Sequence, residues 1–402
     1  MIDLAGIFLV LAVAVYLIQK KVRVEHTLFL CSVLTGFLFG LDFSVMVDTI
    51  FGAVTDVETI ELAAIVILIT FLGAIMKHLE SLSNIVDALN ELTGDVRATL
   101  IGIPAFIGLL PMPAGAMVSA PYVEDVGGKA GLSPEQKTVV NYWFRHIWEY
   151  SFPLYPAIVL AAAILEVPYQ VITFHQTPLT AAAIFFGLLF ITRKIKAGNL
   201  TLNKKRSRLD NVGVIARDVW PVALVITAAL AFKLNLVAAL TGTILLLSTS
   251  RRINPRMLVE TFREVNFVNL ALLIMAVMAF KDVVAATGAA QKLAEALAAI
   301  AVPNVVIIFL VPFIIGLLTG VSFGVVGISF PIILPFLGNP APDLNLVLLA
   351  YAAGMMGLLL SPVHLCLVVT REYFKADIRK TYFMLAPLII SMTIVAALLA
   401  AL

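Results

Sequence analysis

The chain has 402 residues, of which 61% are hydrophobic and only 13% are charged, and its formal net charge is +2. Soluble domains keep about a quarter of their residues charged, so this composition excludes a soluble globular protein and indicates an integral membrane protein in a lipid bilayer. A charge this close to neutral gives no indication of nucleic-acid binding. Cys31 and Cys366 lie in apolar runs, where we expect small core residues and neither a disulfide nor a metal site.

The first half of the chain contains both continuous and interrupted apolar runs. Continuous helices are predicted at about 4–19, 26–46, 58–76, 77–97 and 175–192. The run 100–121 is interrupted by Pro111 and Pro113, which remove backbone donors and stop a helix. A helix that opens at Ser133 with a capping box is predicted to break near Pro153 and to continue to about residue 166.

The second half repeats this plan after a basic linker at about 193–212. Continuous helical segments are expected at about 214–232, 234–249, 266–281, 282–300 and 381–402. A second re-entrant hairpin is predicted at about 303–335. A second broken helix is predicted at about 344–372, with its break at Ser361 and Pro362.

Alignment of residues 1–192 with residues 213–402 reveals an internal repeat. The matched positions are Pro104 with Pro312, Gly108 with Gly316, Ser119 with Ser329, Tyr142 with Tyr351 and Pro153 with Pro362. One such match can arise by chance, but the repeated order of helices, interrupted run and broken helix argues against chance. The sequence therefore predicts two repeats, each with a re-entrant hairpin and a broken helix.

Basic residues in short loops mark the cytoplasmic side of a membrane protein. Clusters of them occur at 20–23, 193–208, 251–256 and 371–380. These clusters share one side only if each interrupted run enters and leaves the membrane on the same face, which gives each repeat about five crossings. Repeats with odd numbers of crossings have opposite orientations, and both termini then lie outside. This all-α inverted-repeat plan is typical of secondary transporters, and we expect it in the cell inner membrane.

The tip of the first hairpin has small side chains, so its backbone N–H groups can approach an anion such as a carboxylate. The alternative is an ordinary membrane helix kinked by proline. The partner stretch in the second half offers hydroxyls and glycines at Ser322, Gly324, Gly327 and Ser329. This correspondence favours two hairpins that face one central site.

Three ionisable residues, Arg145, His146 and Glu149, lie about eleven to fifteen residues into the helix that opens at Ser133. At about 1.5 Å per residue, Arg145 lies roughly 16 Å along that helix, near the bilayer centre. Arg145 and Glu149 are four residues apart and can pair. A charge at this depth indicates a functional site: Arg145 is predicted to bind a substrate carboxylate, and His146 or Glu149 to carry a coupling proton. In one alternative, the Arg145–Glu149 pair only stabilises the helix. In the other, this segment lies in a water-filled vestibule, where neither charge needs a functional role.

His364 follows the second break and is either a packing residue or a substrate or proton ligand. With Ser361 it forms the one pair that suggests an intramembrane serine enzyme. The sequence contains no phosphate loop of the Walker type and no HExxH motif, and we identify no His/Cys cluster of metal ligands in it. We therefore expect no ATP-driven step, no metal site and no enzyme.

The hairpin "GLLPMPAGAMVSAP", its counterpart "GVSFGVVGISFP" and the two broken helices resemble the ion transporter superfamily. That superfamily includes gluconate, lactate, citrate and dicarboxylate permeases. Within it, the chain looks like a prokaryotic membrane family known only as a domain of unknown function. The resemblance implies a scaffold plus a moving transport domain of elevator type, often in a homodimer. It also implies that small organic anions move with Na⁺ or H⁺, bound at the hairpin tips and helix breaks.

The sequence thus predicts a cation-coupled secondary transporter for a small organic anion, with a passive channel or a membrane enzyme as alternatives. The predicted substrate-binding residues are Pro113, Ala114, Gly115, Ser119, Arg145, Ser151, Ser322, Gly324, Gly327, Ser329, Ser361 and His364. The predicted coupling residues are His146 and Glu149. No cofactor is expected beyond H⁺ or Na⁺ as the coupling ion.

Overall fold

The computed structural model describes residues 2–109, 115–195, 206–338 and 340–402, and these ranges contain helices and no β-strand. The helices of the first half are α1 Ile2–Gln19, α2 Val24–Leu38, α3 Phe43–Thr55, α4 Val57–His78, α5 Ser81–Thr93, α6 Val96–Gly108, α7 Ala116–Lys129, α8 Pro134–His146, α9 Pro156–Leu165 and α10 Tyr169–Phe186. Those of the second half are α11 Arg208–Ile226, α12 Leu236–Ser250, α13 Pro255–Glu264, α14 Phe267–Thr287, α15 Ala289–Ala299, α16 Asn304–Thr319, α17 Ser322–Ile333, α18 Leu344–Leu360, α19 Leu365–Phe374 and α20 Ile378–Ala400.

Six helical segments of the described chain are long and apolar enough to cross a membrane. They are Val57–His78, Tyr169–Ile191, Arg208–Ala231, Phe267–Thr287, Leu344–Phe374 and Ile378–Ala400. A bilayer core about 30 Å thick requires roughly 20 apolar residues at 1.5 Å per residue, which these lengths satisfy. The shorter apolar helices, such as α6, α9, α16 and α17, fall below that length. The protein is an all-α membrane protein.

Two predicted segments differ from the structure. The single helix expected at 26–46 is two helices, because α2 ends at Leu38 and α3 begins at Phe43. Gly40 turns the chain between them with φ 75°, a left-handed conformation that glycine adopts without steric cost. The second difference is α13, a short helix where only a basic loop was expected. It begins at Pro255, with the Asn254 side chain accepting the Arg256 N–H at 2.9 Å.

The helix predicted over 134–166 is interrupted between α8 and α9. Its start has reciprocal capping bonds, because the Ser133 N–H donates to Gln136 Oε1 at 2.8 Å and the Gln136 N–H donates to Ser133 Oγ at 3.2 Å. After His146 the chain forms a 3₁₀ turn at Ile147–Tyr150, and α9 then begins at a proline. The interruption places charged side chains, and backbone groups that lack a partner within the helix, in the interior of the protein.

A second interruption separates α18 from α19 at residues 361–364. Close to it, the turn between α16 and α17 passes through Gly320 with φ 63°. A Cβ at Gly320 would lie 2.8 Å from both the His364 N and the Ser361 Oγ, so only glycine fits this position. The α16–α17 turn and the α18–α19 break are therefore in direct contact.

Glycines allow α16 to pack closely on α18 and α6 on α8. In α16 and α18, a Cβ at Gly316 would collide with the Gly354 carbonyl oxygen, and one at Gly357 would collide with the Phe313 carbonyl oxygen. In α6 and α8, a Cβ at Gly108 would collide in the same way with a carbonyl of α8. Small residues at interfaces are the usual means of close packing between membrane helices, since lipid supplies no hydrophobic drive.

Two buried tyrosines connect the interrupted helices. The Tyr142 hydroxyl of α8 donates to the Leu359 carbonyl at 3.1 Å, near the end of α18. The Tyr351 hydroxyl of α18 donates to the Glu149 carbonyl at 3.0 Å, just past the end of α8. Each tyrosine thus satisfies a carbonyl that the helix break frees in the other half of the chain.

Candidate functional site

A cavity of about 300 Å³ lies where the two interrupted helices meet the α16–α17 turn. Its polar wall residues include Thr70, Arg145, Glu149, Tyr155, Ser322 and His364. Its apolar walls include Pro156, Leu270, Val321, Phe323, Leu358 and Leu365. An apolar cavity with a few convergent polar groups is the usual form of a small-molecule site.

Arg145 and Glu149 form a buried ion pair on the wall of this cavity. Their side chains are joined by Arg145 Nη1 and Glu149 Oε1 at 3.2 Å, and the residues are 2% and 8% exposed. Arg145 Nη1 also donates to the Tyr155 hydroxyl at 3.2 Å, and that hydroxyl donates to the Gly108 carbonyl at 2.5 Å. Burying ions is costly, and such pairs persist where hydrogen bonds satisfy them. Here the carboxylate and the tyrosine supply those bonds.

His146 and His364 meet across the two halves of the chain. Their Nε2 atoms are 3.1 Å apart. The Nδ1 of His146 lies 2.6 Å from the Tyr142 carbonyl oxygen, and the Nδ1 of His364 lies 2.7 Å from the Gly320 carbonyl oxygen. Because a carbonyl can only accept, Nδ1 is assigned as the donor in each ring. When both rings are neutral, both Nε2 atoms then direct a lone pair toward the space between the rings, and a hydrogen bond across their 3.1 Å separation requires one further proton.

Two further groups surround this space. The Cys366 Sγ lies within 4.8 Å of the ligand nitrogens of both histidines. Glu149 Oε1 lies 3.8 Å from His146 Nε2. The cavity, the ion pair and the histidine pair are therefore parts of one polar centre inside an apolar fold.

The structure brings five of the predicted site residues to this centre. Arg145, Glu149, Ser322 and His364 line the cavity, and His146 contacts His364 behind it. The i, i+4 spacing already indicated the Arg145–Glu149 pair. The meeting of the two histidines is a tertiary contact between residues 218 positions apart.

Three predicted serines have their hydroxyls bonded elsewhere. Ser119 Oγ donates to the Ala116 carbonyl at 3.2 Å, and the Ser329 hydroxyl donates to the Val325 carbonyl, both within their own helices. Ser151 Oγ pairs with Thr180 Oγ1 at 2.7 Å. None of the three lines the cavity. The hydroxyls of Ser119 and Ser329 are satisfied by carbonyls of their own helices, as is usual for serines in buried helices.

The remaining predicted residues have packing positions or fall outside the described residues. Gly327 packs against Val277, since a Cβ there would lie 2.6 Å from a methyl group of that side chain. Other predicted residues are placed as follows: Gly115 is buried just before α7, Gly324 lies against the Thr319 side chain, and Ser361 is fully buried at the second break. Pro113 and Ala114 lie outside the residues that the structure describes.

The cavity residues that the sequence did not single out as site residues include Thr70, Tyr155, Gly320 and Cys366. Tyr155 and Cys366 each follow a helix break by a few residues. This position next to a predicted break was the sequence feature that could have identified them as site residues. Cys366 was expected to be a small core residue. It is buried at 6% exposure, but its sulphur lies beside two histidines.

Six apolar spans and a cavity lined by a buried ion pair define an integral membrane protein with a candidate small-molecule site among its helices. The chain belongs to the family described as "Protein of unknown function (DUF401)", whose model matches residues 3–402. No match was found among curated proteins.

Proposed function

We propose that the protein is a secondary active transporter of the cell inner membrane that moves a small organic anion, such as a carboxylate, together with H⁺ or Na⁺. The observation that carries this proposal is the buried Arg145 on the wall of a cavity between two interrupted helices. Interrupted helices at a central site are a feature of secondary transporters. Guanidinium is the side chain best suited to hold a carboxylate, because its donors match the two oxygens.

The ion pair also provides a reason for coupling. In the structure Glu149 occupies one donor of Arg145 at 3.2 Å. A carboxylate that enters the cavity competes with Glu149 for that donor and adds a second negative charge to the same site. A cation that accompanies the anion, H⁺ or Na⁺, offsets this charge. Anion and cation binding are therefore expected to favour each other.

Equivalent contacts in the two halves support the inverted-repeat part of the proposal. Gly108 meets the carbonyl of Arg145, and Gly316 meets the carbonyl of Gly354, at positions that the sequence alignment pairs. The bonds of the two buried tyrosines, Tyr142 and Tyr351, run reciprocally across the breaks. The proposal includes membership of the ion transporter superfamily, elevator-type movement, a homodimer and both termini outside.

The enzyme alternative is less well supported by the contacts of Ser361 and His364. The ring nitrogens of His364 lie against the Gly320 carbonyl and His146 Nε2. The Ser361 hydroxyl accepts the Val363 N–H at 3.4 Å instead of bonding to the imidazole. A serine nucleophile needs an adjacent base.

A passive channel would use the same cavity residues as a transporter. It differs from a secondary active transporter because it cannot accumulate solute against a gradient.

Binding by the purified chain tests the proposal. Small carboxylates are screened by thermal shift with and without Na⁺ and at two pH values, because a ligand that binds the folded state raises the melting temperature. We expect a carboxylate whose stabilisation is lost in Arg145→Gln and retained in Arg251→Gln. Arg251 is a matched control because it also pairs with a buried carboxylate, that of Asp218. In Arg251→Gln, Asp218 still has a partner in Arg217, at 3.0 Å. Equal stabilisation of Arg145→Gln would contradict the proposal.

A further inference from the structure

We propose that His146, His364 and Cys366 form a binding site for a transition-metal cation of the Zn²⁺ class. The three side chains offer two imidazole nitrogens and one sulphur, all within 4.8 Å of one another. The site goes beyond the proposed function and does not depend on it. The spacing of these residues in the sequence gave no metal motif, because the fold joins the two halves of the chain to make the cluster.

The orientation of the two imidazoles is the first argument. Both Nδ1 atoms face backbone carbonyl oxygens, so the two neutral rings direct Nε2 lone pairs at each other across 3.1 Å. Two facing lone pairs repel each other unless a shared proton or a metal cation lies between them, and we propose the metal. Metal-bound histidines usually have this arrangement, with the second ring nitrogen donating to a carbonyl or carboxylate that fixes the tautomer.

The distances are the second argument. Zn–N bonds of about 2.0–2.1 Å at tetrahedral angles place two nitrogen ligands about 3.3 Å apart. The separation of the Nε2 atoms in the protein is 3.1 Å. The Cys366 sulphur completes the set within 4.8 Å of the histidine ligand nitrogens, and Zn–S bonds about 2.3 Å long require this side chain to move toward the metal. The backbone near both histidines is already positioned by the two helix breaks.

The ligand types decide the class of metal. Imidazole and thiolate favour Zn²⁺, Co²⁺ or Cu⁺, whereas Mg²⁺, Ca²⁺ and Na⁺ favour oxygen ligands. Three protein ligands leave a fourth position open, as in zinc sites that bind water or a ligand. His364 and Cys366 both line the cavity, and Glu149 Oε1 lies 3.8 Å from His146 Nε2. The open position therefore faces the cavity, where Glu149 or an incoming anion can occupy it.

Cobalt provides the direct test, because Co²⁺ takes zinc ligand sets and is coloured. The full chain without a histidine tag is titrated with Co²⁺ in detergent, with no anion present. We expect one ion per chain, with the intense visible bands of tetrahedral Co²⁺ and a near-ultraviolet band from thiolate charge transfer. Zn²⁺ should displace Co²⁺, and Mg²⁺ should not.

Substitutions assign the ligands. Cys366→Ser should remove the charge-transfer band, and His146→Gln should weaken binding by at least the roughly 10–100-fold that loss of an outer-shell partner costs. Matched controls are Cys31→Ser, a buried cysteine elsewhere, and His175→Gln, whose ring bonds to Asn345 at 2.8 Å. Both controls should bind Co²⁺ as the unmodified chain does.

Two results would overturn the site: no saturable Co²⁺ or Zn²⁺ binding by the unmodified chain, or unchanged spectra in Cys366→Ser. The first would mean that the histidines share a proton instead. Should a variant fail to fold, the unmodified chain still decides the question by thiol alkylation and mass spectrometry. Zn²⁺ should slow the modification of Cys366, and equal rates with and without Zn²⁺ would contradict the site. Because no anion or gradient is used, failure here leaves the transport proposal untouched.

Discussion

Opposite effects of two substitutions in the buried ion pair test the role of Arg145. If Glu149 competes with the substrate for the guanidinium, Glu149→Gln should tighten carboxylate binding, while Arg145→Gln should weaken it. If the ion pair only stabilises the helix, both substitutions should lower the free energy of unfolding equally, and neither should change the affinity for carboxylates.

The magnitude follows from the geometry of the pair. At the observed 3.2 Å between Nη1 and Oε1, two unit charges attract by about 5 kcal/mol at an effective dielectric constant of about 20. A carboxylate that displaces Glu149 regains most of this attraction. The binding free energies of the unmodified chain and of Glu149→Gln should therefore differ by the contribution of one charge-assisted hydrogen bond, about 1.5–3 kcal/mol. Binding in Glu149→Gln should therefore be roughly 10–150-fold tighter, since about 1.4 kcal/mol equals a factor of ten.

Arg145→Gln should lose about 2–5 kcal/mol of binding free energy, the usual cost of removing one partner of a buried charged contact. Calorimetric titration of the carboxylate found by thermal shift gives both dissociation constants, with Arg251→Gln as the control. Weaker binding in Glu149→Gln, or binding in Arg145→Gln equal to that of the unmodified chain, would show that Glu149 and the ligand do not compete for Arg145.

Three further substitutions test other parts of the account. Gly316→Ala should lower the free energy of unfolding by about 1–3 kcal/mol because its Cβ would collide with a carbonyl of α18; the control Gly73→Ala, with open space around its Cβ, should show no loss in the same thermal unfolding experiment. Tyr351→Phe should cost about 1 kcal/mol of stability, since it removes the bond to the Glu149 carbonyl, and an unchanged melting temperature would contradict that bond. Ser361→Ala should retain carboxylate binding and uptake; abolished turnover with binding intact would favour the enzyme alternative.

Local patterns were sufficient to predict much of the helical architecture. Apolar length indicated the membrane spans, and the capping box at Ser133 located the start of α8. The four-residue spacing of Arg145 and Glu149 indicated their pair, because helix geometry sets that contact without reference to the rest of the chain.

Contacts between the two halves could not be predicted from such patterns. The approach of His146 to His364 depends on how two broken helices cross, and Cys366 joins them through the same crossing. The separation of α2 from α3 depends on the left-handed turn at Gly40, which an apolar run does not signal. The sequence overestimated the role of hydroxyls such as that of Ser119 in substrate binding, because a carbonyl of its own helix accepts its hydrogen bond.

Uptake into proteoliposomes distinguishes active transport from passive flux. The purified chain is reconstituted, and a radiolabelled carboxylate identified by binding is supplied with an imposed H⁺ or Na⁺ gradient. We expect transient accumulation above the outside concentration, abolished by collapse of that gradient and by Arg145→Gln. Flux that only equilibrates the anion, with or without a gradient, would contradict secondary active transport and indicate a channel.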